Sequence, residues 1–248
     1  MKIYSAGLAL LLGMHGVIAH PLVDRMEHAA SAQKWDAVAA MAGRLVRMPD
    51  VDAAVLDQAG QAMRNALRED NKGIWTETVK VASGNTLGGL AKKHGSTVEM
   101  IQWLNGLKGA SIRVGQALKV PRVAFRVEVD KSENIMDLFA GDHWVCRYRV
   151  ATGRNNKTPV RVWDITDRVP EPTWWRPSDN KKIPYGTKEN ELGTHWLAWS
   201  KKGFGIHGTW ERDSIGTQSS SGCVRMLNEE VIEIYRFLPV GAKVHVRD

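Results

Sequence analysis

The chain has 248 residues, of which 43% are hydrophobic and 25% are charged, and this supplies one ordinary core together with one or two small accessory units. The composition indicates a globular, modular chain and excludes a wholly unstructured one. Lysine and arginine outnumber aspartate and glutamate by 34 to 27, so the formal net charge of +7 favours an anionic partner without choosing among nucleic acid, an acidic wall polymer and a membrane surface.

Residues 1–19 predict a secretory signal peptide. Lys2 supplies a short positive region, residues 6–12 an apolar one, and Val17-Ile18-Ala19 a cleavage site of the small-residue type. A retained membrane anchor is the alternative, but the apolar run is well short of the roughly 20 residues that a bilayer span requires. We therefore expect export to the periplasm, the cell wall or the extracellular space, with no stable membrane span after cleavage.

Residues 20–73 predict an α-helical hairpin, because their apolar residues fall at helical spacing in two runs. The runs comprise Met26, Ala29, Ala30, Ala37, Val38, Met41, Ala42 and Leu45, interrupted by Gln33-Lys34, and then Val51, Val55, Ala59, Met63 and Leu67. Pro49-Asp50 separates them, and Asp50 is the predicted N-cap of the second helix. We expect this region to be a packing or spacer element without chemistry of its own.

Residues 76–121 predict a small unit of strand, helix, helix and strand. A strand over residues 77–81 is followed by a turn and by a helix that stops at Gly95. Ser96 and Glu99 form a capping box ahead of a second helix, and residues 112–121 form a turn and a strand.

This unit resembles a LysM module. The matching features are Gly84-Asn85-Thr86-Leu87, Ala91 in the first helix, Leu104-Asn105 at the end of the second helix, and the closing segment 112–121. The resemblance implies that two loops recognise N-acetylglucosamine chains of peptidoglycan or chitin. The implied glycan-binding residues are Gly84, Asn85, Thr86, Asn105, Gly106 and Leu107.

Two departures from the LysM pattern leave an alternative open. Asn85 stands where the family usually has aspartate, and Gly88-Gly89 destabilises the first helix by roughly 1 kcal/mol per glycine relative to alanine. A LysM fold without useful sugar affinity is therefore the alternative to a glycan-binding module.

Residues 124–248 predict a mainly β region with one packed helix. The predicted strands cover residues 125–130, 135–140, 143–150, 160–167, 195–201, 205–208 and 243–246. Prolines mark a long irregular segment at residues 169–188, which is either a lid or substrate-wall loop or a disordered insertion. Asn228, followed by Glu229 and Glu230, is the predicted N-cap of the helix.

The chemistry is expected at Cys223 and His207. A cysteine nucleophile acts as the thiolate, and with an ordinary pKa of about 8.5 it needs a neighbouring imidazole or backbone dipoles to be populated near neutral pH. Small residues before Cys223 let a peptide approach, and consecutive N–H groups at Gly222 and Cys223 are a candidate oxyanion hole. Cys146 lies in a period-two strand pattern, so we expect it in the core rather than in a disulfide.

The same region resembles the L,D-transpeptidase family, also called the YkuD domain. It carries His207-Gly208-Thr209, Gly216 and Ser220-Ser221-Gly222-Cys223-Val224-Arg225, together with the segments 150–153, 158–159, 190–193 and 239–244. The resemblance implies a YkuD-type β-sandwich in which Cys223 attacks the carbonyl of the third residue of a peptidoglycan stem peptide. D-Alanine leaves, and the acyl group passes to an amine. His207 would be the general base and then the acid, and the carbonyl of Gly208 would orient its ring.

The resemblance also implies a set of substrate-binding residues. These are Ser220, Ser221, Gly222, Arg225, Thr209, Trp210, Asn190 and Gly193. Arg225 supports the nucleophile loop, contacts a substrate carboxylate or forms a structural surface ion pair. Ser221 stands where many members have histidine, and Arg161 stands where the family has glycine, so the substrate preference is less defined than the reaction type.

The tryptophans divide into two groups. Trp144, Trp163 and Trp196 lie on strand patterns and are expected in the core, whereas Trp174-Trp175 and Trp210 are candidate walls of a substrate cleft.

Two other functions stay open at this point. One is an L,D-carboxypeptidase, in which water accepts the acyl group, and the other is a wall-binding protein whose catalytic region is vestigial. Zinc is disfavoured because Cys223 and His207 lack two further closely spaced ligands, and no cofactor is expected. Nucleic acid is disfavoured because the basic residues are dispersed. Carbapenems are the covalent inhibitors that the family resemblance implies.

Overall fold

A computed structural model of the chain describes residues 20–248. The signal peptide predicted at residues 1–19 lies outside the described residues. Within residues 20–248, no helix has the length and apolar character needed to cross a membrane.

The N-terminal region contains three helices, so the predicted hairpin is wrong in its number of helices. Helix α1 covers Pro21–Ser31, α2 covers Trp35–Leu45 and α3 covers Ala53–Glu69. The first apolar run is divided at Gln33, whose φ of 53° is left-handed and cannot continue a helix. The predicted N-cap is also wrong, because Asp52 rather than Asp50 accepts the Ala54 N–H at 2.7 Å.

The LysM-like unit has the predicted order of elements. Strand β1 (Thr76–Lys80) pairs antiparallel with β2 (Ala117–Pro121), and the helices α4 (Leu87–Lys93) and α5 (Val98–Asn105) lie between them in the sequence. The N-cap of α5 is Thr97 rather than the predicted Ser96, since the Thr97 hydroxyl accepts the Met100 N–H at 2.9 Å. A small core fills the unit, comprising Val81, Leu87, Leu90, Ala91, Ile101, Leu118 and Val120.

The remaining strands build one large sheet and one small hairpin. They are β3 (Phe125–Asp130), β4 (Ile135–Ala140), β5 (His143–Arg149), β6 (Arg161–Pro170), β7 (Trp174–Trp175), β8 (Lys182–Ile183), β9 (His195–Trp199), β10 (Gly205–Thr209), β11 (Val224–Leu227) and β12 (Lys243–Arg247). The sheet order is β11-β10-β9-β6-β12-β3-β4-β5, and β7 pairs only with β8. The mainly β prediction is confirmed. Because β6 pairs with both β9 and β12, all eight strands belong to one continuous hydrogen-bonded sheet.

The region after Cys223 contains one strand that the sequence did not predict and one N-cap that needs correction. Residues 224–227, which follow the small-residue turn around Cys223, form β11 in parallel with β10. Helix α6 (Asn228–Phe237) begins where predicted, but Asn228 does not cap it, because its side-chain oxygen accepts the N–H of Thr194 at 3.0 Å. Asn228 therefore ties the start of α6 to the segment that precedes β9.

Helices cover the sheet at both edges. Helices α2 and α3 pack on the edge strand β5, while α6 packs on β9, β10 and β11. The N-terminal helices are therefore a packing element, as predicted, and they share one apolar core with the large sheet.

The LysM-like unit packs directly against this core through α5. Met100 and Leu104 on α5 belong to the main core, whereas Ile101 on the same helix belongs to the small core of the unit. Trp103 packs edge-on against Phe237 of α6, with 5.7 Å between the ring centroids. The two regions are therefore joined by buried contacts as well as by the chain.

Candidate active site

One cleft, with a cavity volume of about 620 Å³, brings the predicted catalytic residues together. Its floor is formed by residues of four neighbouring strands, β6, β9, β10 and β11, and of the loop that leads into β11. The floor residues are Asp167, Val169, Trp196, His207, Ser220, Ser221, Cys223 and Arg225. The β7–β8 hairpin forms a wall through Trp174, Trp175 and Arg176. The segment predicted as a lid or substrate-wall loop thus lines the cleft.

The loop that carries Cys223 is held by short hydrogen bonds. The Ser220 hydroxyl donates to the Cys223 carbonyl at 2.6 Å and accepts the Gly222 N–H at 3.0 Å. The Thr158 hydroxyl donates to the Gly222 carbonyl at 2.9 Å and accepts the Gly153 N–H at 2.7 Å. These bonds fix the backbone on both sides of the nucleophile.

Gly222 occupies a position that only glycine fits. Its φ is 134°, and a Cβ added there would lie 2.7 Å from the ring of Phe204. The Ser220 hydroxyl already binds its N–H, so Gly222 does not offer the oxyanion donor that the sequence predicted. Gly222 shapes the loop and does not line the cleft.

His207 is buried, and its tautomer is set by the backbone. Its Nδ1 lies 2.7 Å from the carbonyl oxygen of Gly208. A carbonyl oxygen only accepts, so Nδ1 carries the proton and Nε2 carries the lone pair. Burial lowers the pKa of His207 to about 4, and the charge of Arg225 acts in the same direction, while the Gly208 carbonyl opposes them. The ring is therefore a neutral base at pH 7.

The Cys223 thiol is partly buried and protonated at neutral pH. Desolvation raises its pKa to about 11, although the backbone N–H of Gly205 and the charge of Arg225 favour the thiolate. The sequence led us to expect a thiolate sustained by the imidazole. The structure instead places a neutral thiol, whose Sγ lies 3.6 Å from the Gly203 carbonyl oxygen, in the same cleft as a neutral imidazole, because removal from water penalises both charged forms.

Arg225 is a buried member of the cleft rather than a surface ion pair. It lies opposite His207 in the parallel pairing of β10 and β11. Its side chain is only 8% exposed and contacts the carboxylates of Glu191 and Glu211 at 3.1 Å each. These ion pairs fix the guanidinium beside the nucleophile loop.

Asn190 and Gly193 position the cleft without lining it. The buried Asn190 amide donates to the carbonyls of Pro172 at 2.8 Å and Ile183 at 3.1 Å. These bonds tie together the residue before β7 and the last residue of β8, the two ends of the β7–β8 hairpin. Gly193 has a φ of 62°, and a Cβ there would lie 2.3 Å from the Asn228 side-chain oxygen. Asn190 thus fixes the hairpin, while Gly193 packs against Gly208 of the strand that carries His207.

The tryptophans differ from the prediction at two positions. Trp174 and Trp175 line the cleft as predicted, but Trp210 does not, and neither does its neighbour Thr209, which is buried. Trp196 was expected in the core, yet it lines the cleft with its ring centroid 5.8 Å from that of His207. Trp196 on β9 faces the cleft because it pairs with Val169 on β6 and with His207 on β10.

Sequence reasoning did not find Asp167, Val169, Glu191 or Arg176 as cleft residues. Asp167 and Val169 alternate along β6, and this period-two pattern was the available signal. It predicts which residues share a face, but it does not say which face the cleft occupies. In the described residues, no group of three or more His, Cys, Asp or Glu side chains is arranged to hold a metal ion.

The predicted glycan-binding loops use their polar side chains for the fold. Asn85 accepts the N–H of Ala82 at 3.0 Å, and Thr86 caps α4 by accepting the Gly89 N–H at 3.0 Å. The Asn105 amide donates to the carbonyl of Lys119 at 2.7 Å and accepts its N–H at 2.8 Å. Gly84 and Gly106 have positive φ values, and Leu107 packs against the small core. Glycan binding by these loops stays a prediction.

Comparison with known proteins identifies both modules. Residues 124–246 match the L,D-transpeptidase catalytic domain, YkuD, and residues 79–121 match the LysM domain. The YkuD protein of Bacillus licheniformis is 29% identical over 175 residues, covering 67% of this chain and 96% of that protein. The YqjB protein of Bacillus subtilis is 36% identical over 107 residues, covering 41% of this chain and 58% of that protein. Both carry L,D-transpeptidase in their names.

Two solved structures are similar to this chain. L,D-transpeptidase 3 from Mycobacterium tuberculosis has 12% identity and a TM-score of 0.44, covering 70% of this chain and 93% of that one. The catalytic domain of the E. faecium L,D-transpeptidase has 20% identity and a TM-score of 0.41, covering 49% of this chain and 95% of that one.

Proposed function

Because residues 124–246 belong to the L,D-transpeptidase catalytic domain family and residues 79–121 to the LysM family, we propose that this protein is a cysteine-dependent acyltransferase of the cell wall. Its substrates are the stem peptides of peptidoglycan, and it acts in the periplasm or cell wall after export. Cys223 is the nucleophile, His207 the general base and acid, and the Gly208 carbonyl the group that orients the imidazole.

The first half-reaction releases D-alanine. As the sulfur of Cys223 bonds to the carbonyl carbon of the third stem residue, Nε2 of His207 takes the thiol proton. The tetrahedral intermediate then collapses, the bond from the carbonyl carbon to the D-alanine nitrogen breaks, and the imidazolium returns its proton to that nitrogen. A thioester on Cys223 remains, and the imidazole is neutral again.

The second half-reaction transfers the acyl group. The acceptor amine attacks the thioester carbon, and His207 removes a proton from the attacking nitrogen. The carbon–sulfur bond breaks, and the sulfur takes the proton back from the imidazolium. If water attacks in place of the amine, the product is a tripeptide and the enzyme is a carboxypeptidase.

The bond from His207 Nδ1 to the Gly208 carbonyl carries this proposal. It leaves the basic nitrogen unprotonated in the same cleft as the Cys223 thiol. With a neutral thiol and a neutral imidazole in one cleft, attack needs only proton transfer between them, and the charges develop in a site from which water is partly removed.

The test is mass spectrometry of a disaccharide-tetrapeptide incubated with the mature protein and with Cys223→Ala. We expect dimers linked between third-position residues, and turnover at least about 10⁴-fold lower in the variant, since removal of a nucleophile abolishes the covalent route. Tripeptide without dimer would establish the carboxypeptidase. An unchanged substrate in both samples would leave the wall-binding protein as the function.

A carbapenem supplies an independent readout of the same thiol. We expect a mass increase of one inhibitor molecule on the native protein and none on Cys223→Ala. An unmodified mass of the native protein after long incubation would contradict an accessible nucleophile.

A further inference from the structure

The active-site cleft contains a carboxylate that the proposed chemistry does not use. Two carboxylates line the cleft, and that of Glu191 is paired with Arg225. Asp167 is exposed and has no ion-pair partner within residues 20–248. One oxygen of Asp167, Oδ1, accepts the N–H of the next residue, Arg168, at 2.8 Å, and the other has no hydrogen-bond partner among the same residues. The charge of Asp167 is therefore available to a ligand in the cleft.

Asp167 lies across the sheet from the nucleophile. The pairing of β6 with β9 places Asp167 opposite Ala198, and the pairing of β9 with β10 places Ala198 opposite Gly205. The backbone N–H of Gly205 in turn contacts the sulfur of Cys223. Two inter-strand spacings, or about 10 Å, therefore separate Asp167 from the residue beside the sulfur.

The surface between Asp167 and Cys223 is apolar. Alternate residues of a strand share a face, so Ala198 faces the cleft together with Trp196. Gly205 has no side chain, and a Cβ added there would lie 2.7 Å from the Trp196 ring. The indole ring thus lies over Gly205. A ligand that extends from Cys223 toward Asp167 therefore crosses an aromatic ring and a methyl group before it meets a negative charge.

The two arginines of the cleft do not neutralise Asp167. The guanidinium of Arg225 lies between two carboxylates at 3.1 Å each. Arg176 is bound to Asp179 through two nitrogens, at 2.9 Å and 2.6 Å. Because both guanidinium groups are held by other carboxylates, a cation that enters the cleft can bind Asp167. An apolar surface that ends in a free carboxylate suits an aliphatic chain that ends in an ammonium.

The ammonium that binds Asp167 differs from the amine that reacts. The acceptor amine must bond to the thioester carbon on Cys223, whereas Asp167 is two strands away. In a residue of the lysine type, six bonds join the carbonyl carbon to the side-chain nitrogen, which spans about 7.5 Å when extended. The thioester bond and a hydrogen bond of about 2.8 Å extend this reach past about 10 Å. A side-chain amine on the attacked residue therefore reaches Asp167.

We propose that Asp167 determines the specificity for the acyl donor by binding the ammonium at the end of a long side chain on the residue whose carbonyl Cys223 attacks. This inference rests on the proposed function and deepens it. The preferred donor is a stem whose third residue is a diamino acid with a free side-chain amine. A stem whose side-chain amine is already acylated, as in a cross-link, lacks the positive charge and is the weaker donor.

Paired donor substrates test this proposal. Two disaccharide-tetrapeptides carry lysine at the third position, with the side-chain amine free in one and acetylated in the other. The value of kcat/KM for release of D-alanine covers only the steps up to the thioester, so it does not depend on the acceptor. We expect it to be at least about threefold higher for the free amine, within the range measured for exposed ion pairs. Equal values for the two donors would overturn the proposal.

Two variants assign the preference to one carboxylate. Asp167→Asn removes the charge but keeps an oxygen for the Arg168 N–H, so we expect the ratio of the two kcat/KM values to fall toward one. Glu171→Gln is the matched control, because Glu171 directly follows β6, is exposed and does not line the cleft. Its ratio should stay at the native value. A ratio that persists in Asp167→Asn, or that falls equally in both variants, rules out a specific contact with Asp167.

Salt and side-chain length provide further readouts. The preference for the free amine should shrink between about 0.01 M and about 1 M salt, as the Debye length falls from about 30 Å to about 3 Å. With diaminopropionate in place of lysine, three fewer bonds shorten the reach by about 4 Å, so a free amine should give no advantage. An advantage that is independent of salt, or equal for the short side chain, would contradict an ion pair with Asp167.

Calorimetry separates this proposal from the function of the enzyme. The free and the acetylated donors are titrated into Cys223→Ala protein with and without Asp167→Asn. Binding of the free-amine donor that is at least about threefold tighter, and that loses this advantage with Asp167→Asn, supports the site even if no turnover is found. Equal binding of the two donors to Cys223→Ala protein overturns it even if turnover is normal.

Discussion

The two cysteines lie at opposite edges of the large sheet, and their surroundings differ in a way that explains their roles. Cys146 on the edge strand β5 is buried under α3, where a Cβ added to Gly60 would lie 3.0 Å from its Cβ. Cys223 precedes the other edge strand, β11, and opens into the cleft. Desolvation raises the pKa of both thiols, to about 12 and about 11.

Burial alone therefore does not distinguish a reactive thiol from an inert one. The sulfur of Cys146 meets the hydroxyl of Tyr148 at 3.2 Å, which is not a base at neutral pH because burial holds the pKa of Tyr148 well above its usual range. Cys223 has a neutral imidazole in the same cleft and room for a peptide. Access to the cleft and an imidazole in that cleft, rather than the pKa of the thiol, therefore distinguish the proposed nucleophile Cys223 from the core residue Cys146.

The largest expected effect comes from removing the base. His207→Asn keeps a polar side chain but has no nitrogen that accepts a proton, so we expect kcat to fall by about 10²- to 10⁴-fold in the transpeptidation assay. His195→Asn is the matched control, because His195 packs on Tyr235 outside the cleft, and its kcat should stay near the native value. A loss below tenfold for His207→Asn would mean that another group accepts the proton.

Alkylation with iodoacetamide sharpens the comparison of the thiols. Because the pKa of Cys223 is raised to about 11, we expect its labelling rate to rise about tenfold per pH unit from pH 6 to 9, following the thiolate fraction. Cys146 should stay unlabelled in the folded protein, and Cys146→Ala should label and turn over like the native protein. A labelling rate that is already flat at neutral pH would indicate a resting thiolate and contradict the neutral pair.

The smallest expected effect is the change in kcat/KM when the pH is lowered from 7 to 5.5. Burial disfavours the imidazolium and lowers the pKa of His207 to about 4, so the base is neutral above that pH and activity is lost only as the pH falls through it. We expect kcat/KM at pH 5.5 to lie within about twofold of its value at pH 7. An acid limb centred near the ordinary histidine pKa of about 6.5 would show that the site is more hydrated than its geometry indicates.

The sequence predicted those features that short stretches of chain encode. The seven strands predicted beyond residue 124 are all present, because period-two alternation is a local signal. The proposed nucleophile and base, Cys223 and His207, could be singled out because His207-Gly208-Thr209 and Ser220 to Arg225 are compact motifs. The N-caps Asp52 and Thr97 were predicted incorrectly, since neighbouring residues were equally able to cap a helix. The interruption at Gln33-Lys34 was visible in the sequence, but it was not recognised as the end of a helix.

The amino-acid sequence by itself determined the order of the modules and the mainly β composition, and it singled out Cys223 and His207 as candidate catalytic residues. Only the tertiary structure decided that both groups rest neutral, that Trp196 faces the cleft, and that the Gly222 N–H is already bonded. The physical reason is that burial and pairing join residues far apart in the chain, as when Thr158 binds the Gly222 carbonyl across 64 positions. No local pattern records which distant side chain will remove water from a thiol or an imidazole.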